Sequence, residues 1–340
     1  MWQKVVYVYE PFTFLMVSHM GTKELKVEDL DLAEFTDRMV KEISATVGKD
    51  IAINALSGGV DSSTVTMLGH KALGSRLRTC FVENGLMREG ESERVVSIFK
   101  NLGVKVEVVN AETQFFDALR GLTDPEQKRE AITRTFYKDV FGRIVRESGV
   151  KYLLQGTNIT DVEETVAGIK RQHNVLEQLG INTEERYGYK VMEPLVQLRK
   201  PSIRILANHL GLPDEIWNRQ PFPGPALAAR VIGEVTPERV TIVRKATRIV
   251  EEKLSKTTAF QYLAILHQDK VTGMIDGKRR FGEQVEIRCW DSTDARVASP
   301  TRIPHEILTD LAQRITREIP EVVSVTYNVT SKPPSTIEAI

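Results

Sequence analysis

From position 57 to 63 the chain reads Ser57-Gly58-Gly59-Val60-Asp61-Ser62-Ser63, a run whose residue types suit the grip of a phosphate group. Adjacent glycines let the backbone turn sharply and direct successive N–H groups into one spot. Ser57, Ser62 and Ser63 add hydroxyl donors around that spot. Asp61 supplies a carboxylate where a magnesium ion carried by a polyphosphate can be ligated. The run does not have the Gly-x4-Gly-Lys-Ser/Thr spacing of the Walker loop, and its turn contains no lysine. The competing reading is an ordinary strand-to-helix turn capped by Ser and Asp, which needs no ligand.

The flanking residues decide how such a loop is held. Ile51-Ala52-Ile53-Asn54-Ala55-Leu56 reads as an apolar strand leading into it. Ser62 to Leu73 places Val65, Leu68 and Ala72 at helical spacing, so a helix N-terminus adds its partial positive charge to the same point. Upstream, Phe35, Met39, Ile43 and Val47 recur every four residues and predict an amphipathic helix over 32–47. Leu77 to Val82, Val104 to Val109 and Tyr152 to Gln155 read as short buried strands, each reached through a helical stretch. This alternation predicts a doubly wound parallel α/β sheet, whose ligands bind beyond the carboxyl ends of the strands, where the loop falls.

Length and composition bound the rest. At 340 residues the chain exceeds one core of usual size and points to two domains. Its 46 basic and 46 acidic residues cancel, so no net field draws in a nucleic acid, and none is expected as partner. Cys80 and Cys289 stand far apart with no Cys-x-x-Cys pattern, which argues against a metal finger, a disulfide framework or a paired redox site. Cys80, within Thr79-Cys80-Phe81-Val82, is expected as a buried inert thiol, and a cytoplasmic location fits. Val5 to Met20 is fairly apolar but is interrupted by Glu10 and Pro11 and is too short to span a bilayer. Residues 1–25 are therefore expected to be an N-terminal extension, with no membrane partner. The prolines and glycine of Asn218-Arg219-Gln220-Pro221-Phe222-Pro223-Gly224-Pro225 forbid regular structure. Beyond them Thr236-Pro237-Glu238 caps a helix running to about Leu254, Gln284–Cys289 and Val322–Val329 read as strands, and Pro304–Arg317 as a helix. The expected division is 26–221 for the parallel-sheet domain and 222–340 for a smaller α+β domain.

The loop at 57 resembles the pyrophosphate loop of the ATP pyrophosphatases, which cleave ATP between its α and β phosphates and adenylate an acceptor. Other segments narrow the resemblance to the synthetase portion of GMP synthetase, in that family's order. They are Phe81-Val82-Glu83-Asn84-Gly85-Leu86-Met87-Arg88, Thr123-Asp124-Pro125-Glu126-Gln127-Lys128-Arg129, Leu154-Gln155-Gly156-Thr157, Ile169-Lys170 with His173-Asn174-Val175, Glu193-Pro194-Leu195, Pro221 to Pro225, Gly233-Glu234-Val235-Thr236 and Ser331-Lys332-Pro333-Pro334-Ser335-Thr336-Ile337-Glu338. The match covers roughly residues 30 to 340.

The resemblance implies an ATP site at Ser57, Gly58, Gly59, Val60, Asp61, Ser62, Ser63, Val82 and Gly156, with Asp61 holding Mg²⁺. It implies that Lys170, on a lid segment, reaches the phosphates with Ser57 and Asp61 as the other catalytic groups. It implies that Arg129, Gly224, Lys332, Thr336, Ile337 and Glu338 hold the acceptor, xanthosine monophosphate (XMP) or a related purine nucleotide. The acceptor's C2 oxygen would attack the α phosphate, and ammonia would then displace AMP. The C-terminal domain resembles the family's dimerising domain, so a homodimer is expected, with Ile315, Ile319 and Val323 lining its interface. No Gly-x-Cys-x-Gly nucleophile elbow is present, so ammonia from glutamine requires a separate amidotransferase subunit, as in the family's two-subunit archaeal form.

Departures from the family pattern concentrate around lid and acceptor. Ala226 stands where Pro-Phe-Pro-Gly-Pro-Gly ends in glycine, which puts a methyl where backbone and ligand approach. The lid reads Thr160-Asp161-Val162-Glu163-Glu164-Thr165 without the usual proline. Lys170-Arg171-Gln172-His173-Asn174-Val175-Leu176-Glu177 lacks a histidine and two glycines, and an insertion-like run to Tyr189 follows. Ala339 and Ile340 replace the aromatic after Glu338. Two alternatives therefore stay open: a paralogue that adenylates another oxo-purine or related nucleotide for amination or thiolation, and a nucleotide-binding regulatory protein without turnover.

Overall fold

The computed structural model describes residues 24–166, 189–293 and 295–339. Within them, strands β1 (Ala52–Ala55), β2 (Leu77–Glu83), β3 (Val106–Asn110), β4 (Tyr152–Leu154) and β5 (Lys190–Met192) form one sheet in the order β3-β2-β1-β4-β5. Every pairing in it is parallel. Strand order runs outward from β1 in both directions, so the crevice between β1 and β4 is the topological switch point at which such sheets bind ligands. Alternation along the buried strands feeds two cores: Ala52 and Phe81 face one apolar cluster, Ile53, Cys80 and Val82 the other.

The first cluster is closed by α1 (Leu32–Val47), α2 (Val60–Leu73), α3 (Glu91–Asn101) and α8 (Lys200–His209), which bury Phe35, Ile43, Leu68, Phe99 and Leu206 among others. The helix expected over 32–47 is present with those bounds, and its Phe35, Met39, Ile43 and Val47 are all buried. The second cluster is closed by α4 (Glu112–Leu119), α5 (Pro125–Arg134) and α6 (Phe141–Ser148). Between β4 and β5 the described chain continues into α7 (Ile159–Val166), and α9 (Asp214–Trp217) follows α8. The second cluster runs on without a break into Val240, Val243, Val285 and Ile315 of the C-terminal part.

That part is built on a mixed sheet. β8 (Lys278–Asp291) is central, with β6 (Gln261–Leu266) antiparallel on one side and β10 (Val322–Tyr327) parallel on the other. α10 (Pro237–Leu254), capped by the Thr236 hydroxyl accepting from Arg239 N–H, buries Val240, Val243, Ala246 and Val250. α11 (His305–Glu318) turns Leu311 and Ile315 inward. Ile315 and Ile319 are therefore core residues, 0% and 1% exposed, and cannot line the interface expected of them. Val323 lies against Gly273 and Gly282, where a Cβ would collide with it. β8 is longer than the 284–289 segment expected, because Lys278–Phe281 pair with β7 (Val271–Ile275) in a hairpin. Its two-residue turn, Asp276-Gly277, has positive φ at both positions, the Asp-Gly signature of a type I′ turn. β9 (Ser299–Pro300) pairs with the far end of β8. The segment 218–225 has no regular structure, and both thiols are buried, with burial as the main cause pushing that of Cys80 up to about 11. Among the described residues no helix is long and apolar enough to cross a membrane.

Candidate functional site

β1 ends in a loop that is braced from below and open above. Beneath it, the buried Asn54 side chain donates to Thr66 Oγ1 at 2.6 Å and accepts from Thr79 Oγ1 at 2.9 Å, tying β1 to α2 and β2. At the top, Gly58 has φ +77°, and a Cβ there would stand 2.7 Å from Val95 Cγ2, so both conformation and space require glycine. Gly59 is the N-cap of α2 and offers no side chain, so no cap occupies the helix N-terminus. The N–H groups of the first turn are thus presented to the crevice with the helix dipole behind them.

The serines are positioned by one another. Ser57 and Ser62 hydroxyls lie 2.9 Å apart, Ser57 N–H donates to Ser62 Oγ, and Gly59 N–H donates to Ser57 Oγ at 3.3 Å. Ser63 is fully buried, and its hydroxyl has no hydrogen-bond partner among the described residues. Asp61 is divided: Oδ2 accepts from the Lys200 ammonium, while Oδ1 is buried and has no partner among the described residues. A buried orphan carboxylate oxygen costs on the order of 1–3 kcal/mol, a cost a ligand can remove. This oxygen fits one vertex of a magnesium shell whose other vertices are phosphate oxygens and water. Among the described residues no group of three or more His, Cys, Asp or Glu is assembled.

Gly156 closes the crevice from the end of β4. A Cβ on it would lie 3.1 Å from the Asp61 carbonyl carbon and 3.2 Å from Ser62 N, so the end of β4 and the first turn of α2 touch through the absence of a side chain. Val82 sits at the carboxyl end of β2, in register with Val109 and largely buried. The seven loop residues, Val82 and Gly156 thus share the carboxyl edge of three adjacent strands.

Two contributors to this region were not singled out in the sequence. Lys200 begins α8, where a cation is disfavoured by the helix dipole, and its position is explained by the pair with Asp61. That mismatch was the available signal. Arg219 forms a two-pronged ion pair with the buried Glu91 at the start of α3, and its Nη1 lies 3.4 Å from Gly58 O. Nothing local in the sequence pairs residues 91 and 219.

The residues expected to hold the acceptor gather only in part. Thr336, Ile337 and Glu338 form a turn at the C-terminal end, with Thr336 Oγ1 donating to Glu338 O at 2.6 Å. Glu338 does not project freely: its carboxylate accepts from Arg230 at 3.1 and 3.2 Å and from Gln261 Nε2 at 2.8 Å. Lys332 Nζ donates to Ala295 O at 2.8 Å. Ile337 is buried beside Trp290. Arg129, on α5, makes a local pair with Glu126 at 3.5 Å, and its Nε is buried with no partner among the described residues. Gly224 has open space where a side chain would be. The Ala226 methyl is packed in the main core at φ +54°, so it does not stand in a ligand's path as expected. Phe222, from the Pro-rich stretch, carries the Arg88 guanidinium 3.9 Å and that of Arg230 5.0 Å from its ring centroid. Lys170, with residues 167–188 of the lid region, lies outside the described residues, as do 1–23.

Known proteins resemble the chain over most of its length. Residues 32–226 match the family model described as NAD synthase, and residues 247–339 that of the GMP synthase C terminal domain. The chain is 46% identical over 312 residues to a subunit of the glutamine-hydrolysing GMP synthase of Pyrococcus horikoshii, covering 91% of this chain and 99% of that one. It is 47% identical over 310 residues to the Archaeoglobus fulgidus protein of the same name, covering 91% and 99%. Against the one from Methanocaldococcus jannaschii it is 44% identical over 313 residues, again covering 91% and 99%.

Proposed function

The chain belongs to the GMP synthase family, whose matched members are named as one subunit of the glutamine-hydrolysing enzyme, and on that premise we propose that it uses ATP to activate XMP and aminates it to GMP, releasing AMP and pyrophosphate. The observation that carries the reading is the uncapped N-terminus of α2 at the switch point, with Asp61 Oδ1 buried beside it and unpartnered among the described residues. In this reading the first-turn N–H groups and the hydroxyls of Ser57, Ser62 and Ser63 hold the β and γ phosphates. Gly59, Gly156 and the carboxyl end of β2 at Val82 leave the α phosphorus reachable. The C2 oxygen of XMP attacks that phosphorus, the bond to the bridging oxygen breaks, and pyrophosphate leaves. Ammonia then adds at C2, AMP departs with the oxygen, and the surplus proton passes to solvent.

Negative charge grows on the leaving pyrophosphate, so fixed donors aimed there lower the barrier more than they tighten substrate binding. Asp61 would hold Mg²⁺, which supplies charge neutralisation at the phosphates. Lys200 is released from Asp61 as that happens and turns its ammonium to the same oxygens. Lys170 is assigned to the lid, reaching the phosphates when it closes. Arg129, Gly224, Lys332, Thr336, Ile337 and Glu338 are assigned to the acceptor nucleotide. The nitrogen donor is ammonia released by a separate glutamine amidotransferase subunit. A cytoplasmic homodimer is the expected working form. The test is purified protein with ATP, Mg²⁺, ammonium and XMP, scored for AMP and GMP, with Asp61→Ala as control. Ammonium-dependent GMP that vanishes in the variant supports the reading; no GMP, or equal activity in Asp61→Ala, refutes it.

A further inference from the structure

The C-terminal turn is wrapped around a guanidinium. Arg288, on β8, donates from Nη1 to Thr336 O at 2.8 Å and lies 3.3 Å from both Ile337 O and Glu338 O. Three successive carbonyls therefore converge on one cation. Across their peptide planes those carbonyls are opposed by the N–H groups of Ile337, Glu338 and Ala339, which meet no acceptor among the described residues. A backbone whose carbonyls are gathered inward by a cation presents its amides outward, and consecutive outward amides form a concavity suited to an anion.

The cation is itself fixed. Arg288 Nε donates to Glu286 Oε1 at 2.5 Å, and the other oxygen of Glu286 lies 2.9 Å from His267 Nε2. Both Arg288 and Glu286 side chains are largely buried. Arg239 holds the His267 carbonyl at 2.7 Å, which ties the chain of contacts to the start of α10. At the other side of the turn Arg230 and Gln261 grip the Glu338 carboxylate. The turn is thus held by its carbonyls and by its last side chain, with its amides left over.

We propose that Arg288 is a positioning residue for the acceptor nucleotide: it shapes the turn so that the Ile337, Glu338 and Ala339 amides form a cradle that receives the nucleotide's phosphate, without touching the nucleotide itself. Glu286 holds the guanidinium in that orientation. Lysine cannot replace arginine fully, because one ammonium on a flexible stem does not match three carbonyls in a fixed fan. This inference rests on the proposed function, in which the C-terminal turn binds XMP.

The test measures XMP binding to the full-length protein by calorimetry without ATP, alongside steady-state constants with ammonium as nitrogen donor. Arg288→Gln is expected to weaken XMP binding and raise its KM at least tenfold, with the KM for ATP changed less than twofold. Arg288→Lys is expected to recover part of the loss. If Arg288→Gln does not fold, Glu286→Gln, which leaves the arginine but loosens it, is expected to shift XMP affinity in the same direction about threefold and to spare ATP. A variant that loses thermal stability while keeping XMP affinity, or that raises both KM values alike, overturns the proposal. Wild-type protein that binds XMP but makes no GMP refutes the proposed activity and leaves the Arg288 comparison readable by calorimetry. Wild-type protein that does not bind XMP overturns both.

Discussion

Gly58 and Gly149, just past α6, allow the backbone demands of the phosphate loop to be measured separately from its ligand. Both have positive φ, +77° and +64°, but among the described residues a Cβ at Gly149 meets nothing within 4 Å, whereas one at Gly58 stands 2.7 Å from Val95 Cγ2. Gly149, at ψ 16°, sits in the left-handed helical well, so Gly149→Ala carries only the left-handed penalty, partly offset by the lower entropy of the unfolded chain, about 1 kcal/mol net. Gly58→Ala carries that penalty plus overpacking against a buried valine whose neighbours are close-packed, about 1–3 kcal/mol more. The expected totals are roughly 1 kcal/mol at 149 and 2–4 kcal/mol at 58. Gly59→Ala is the internal contrast: its φ is −75° and its Cβ would lie at an ordinary 3.4 Å from Ser57 Oγ, so it is expected to stay within about 1 kcal/mol of wild type. Guanidinium denaturation with constant slope gives the three values, and ATP titration of the same proteins shows whether the loop's grip follows. Equal losses at 149 and 58, or a larger loss at 59 than at 58, would refute the claim that Val95 and the positive φ jointly fix the loop.

Three further outcomes follow from specific contacts. Lys200→Met is expected to lower pyrophosphate release by about 10²–10³-fold, the scale for one lost charge-stabilising donor, while stability moves less than about 1 kcal/mol because the pair with Asp61 is half-exposed. An unchanged rate removes Lys200 from the reaction. Arg219→Met strands the buried Glu91 carboxylate and should cost about 3–5 kcal/mol by denaturation, with Arg219→Met/Glu91→Gln recovering most of it; additive losses would contradict the pairing. Lys128 is fully buried with its ammonium on Val231 O at 2.9 Å, and burial pulls its pKa from 10.5 down to about 8. Between those values the unfolded chain binds more protons, so its contribution makes stability rise with pH through that window, by roughly 3 kcal/mol at most. Comparing wild type with Lys128→Met from pH 7 to 10.5 should show that rise in the wild type alone, and parallel curves would contradict it.

The central strands β2, β1 and β4 were legible because they are nearly continuous apolar runs separated by helical periodicity, and the loop because glycine, serine and aspartate spacing is local; β3, expected as buried, is an edge strand with Val108 48% exposed, and the short edge strand β5 was not expected. What escaped was set by distant partners. Lys200 meets Asp61 only because α8 starts above the loop, and Arg219 finds Glu91 across more than a hundred positions. Ile315 and Ile319 form an apolar stripe whose period cannot distinguish the chain's own core from a second copy, and the structure gives them to the core. Lys278–Phe281 has no apolar alternation, so the long β8 hairpin was visible only through Asp276-Gly277. The motif at 331–338 was legible as a segment, but its orientation depends on Arg288 and Arg230, which no spacing rule ties to it.

The central claim is that a purine carbonyl oxygen attacks the α phosphorus of ATP held on the loop at Ser57 to Ser63. It is tested most directly by supplying XMP labelled with ¹⁸O at C2, together with ATP, Mg²⁺ and ammonium, and weighing the products. The account predicts that AMP carries the label in its phosphate, with unlabelled pyrophosphate and GMP formed in equal amounts. Formation of ADP and orthophosphate, or AMP without the label, would contradict it.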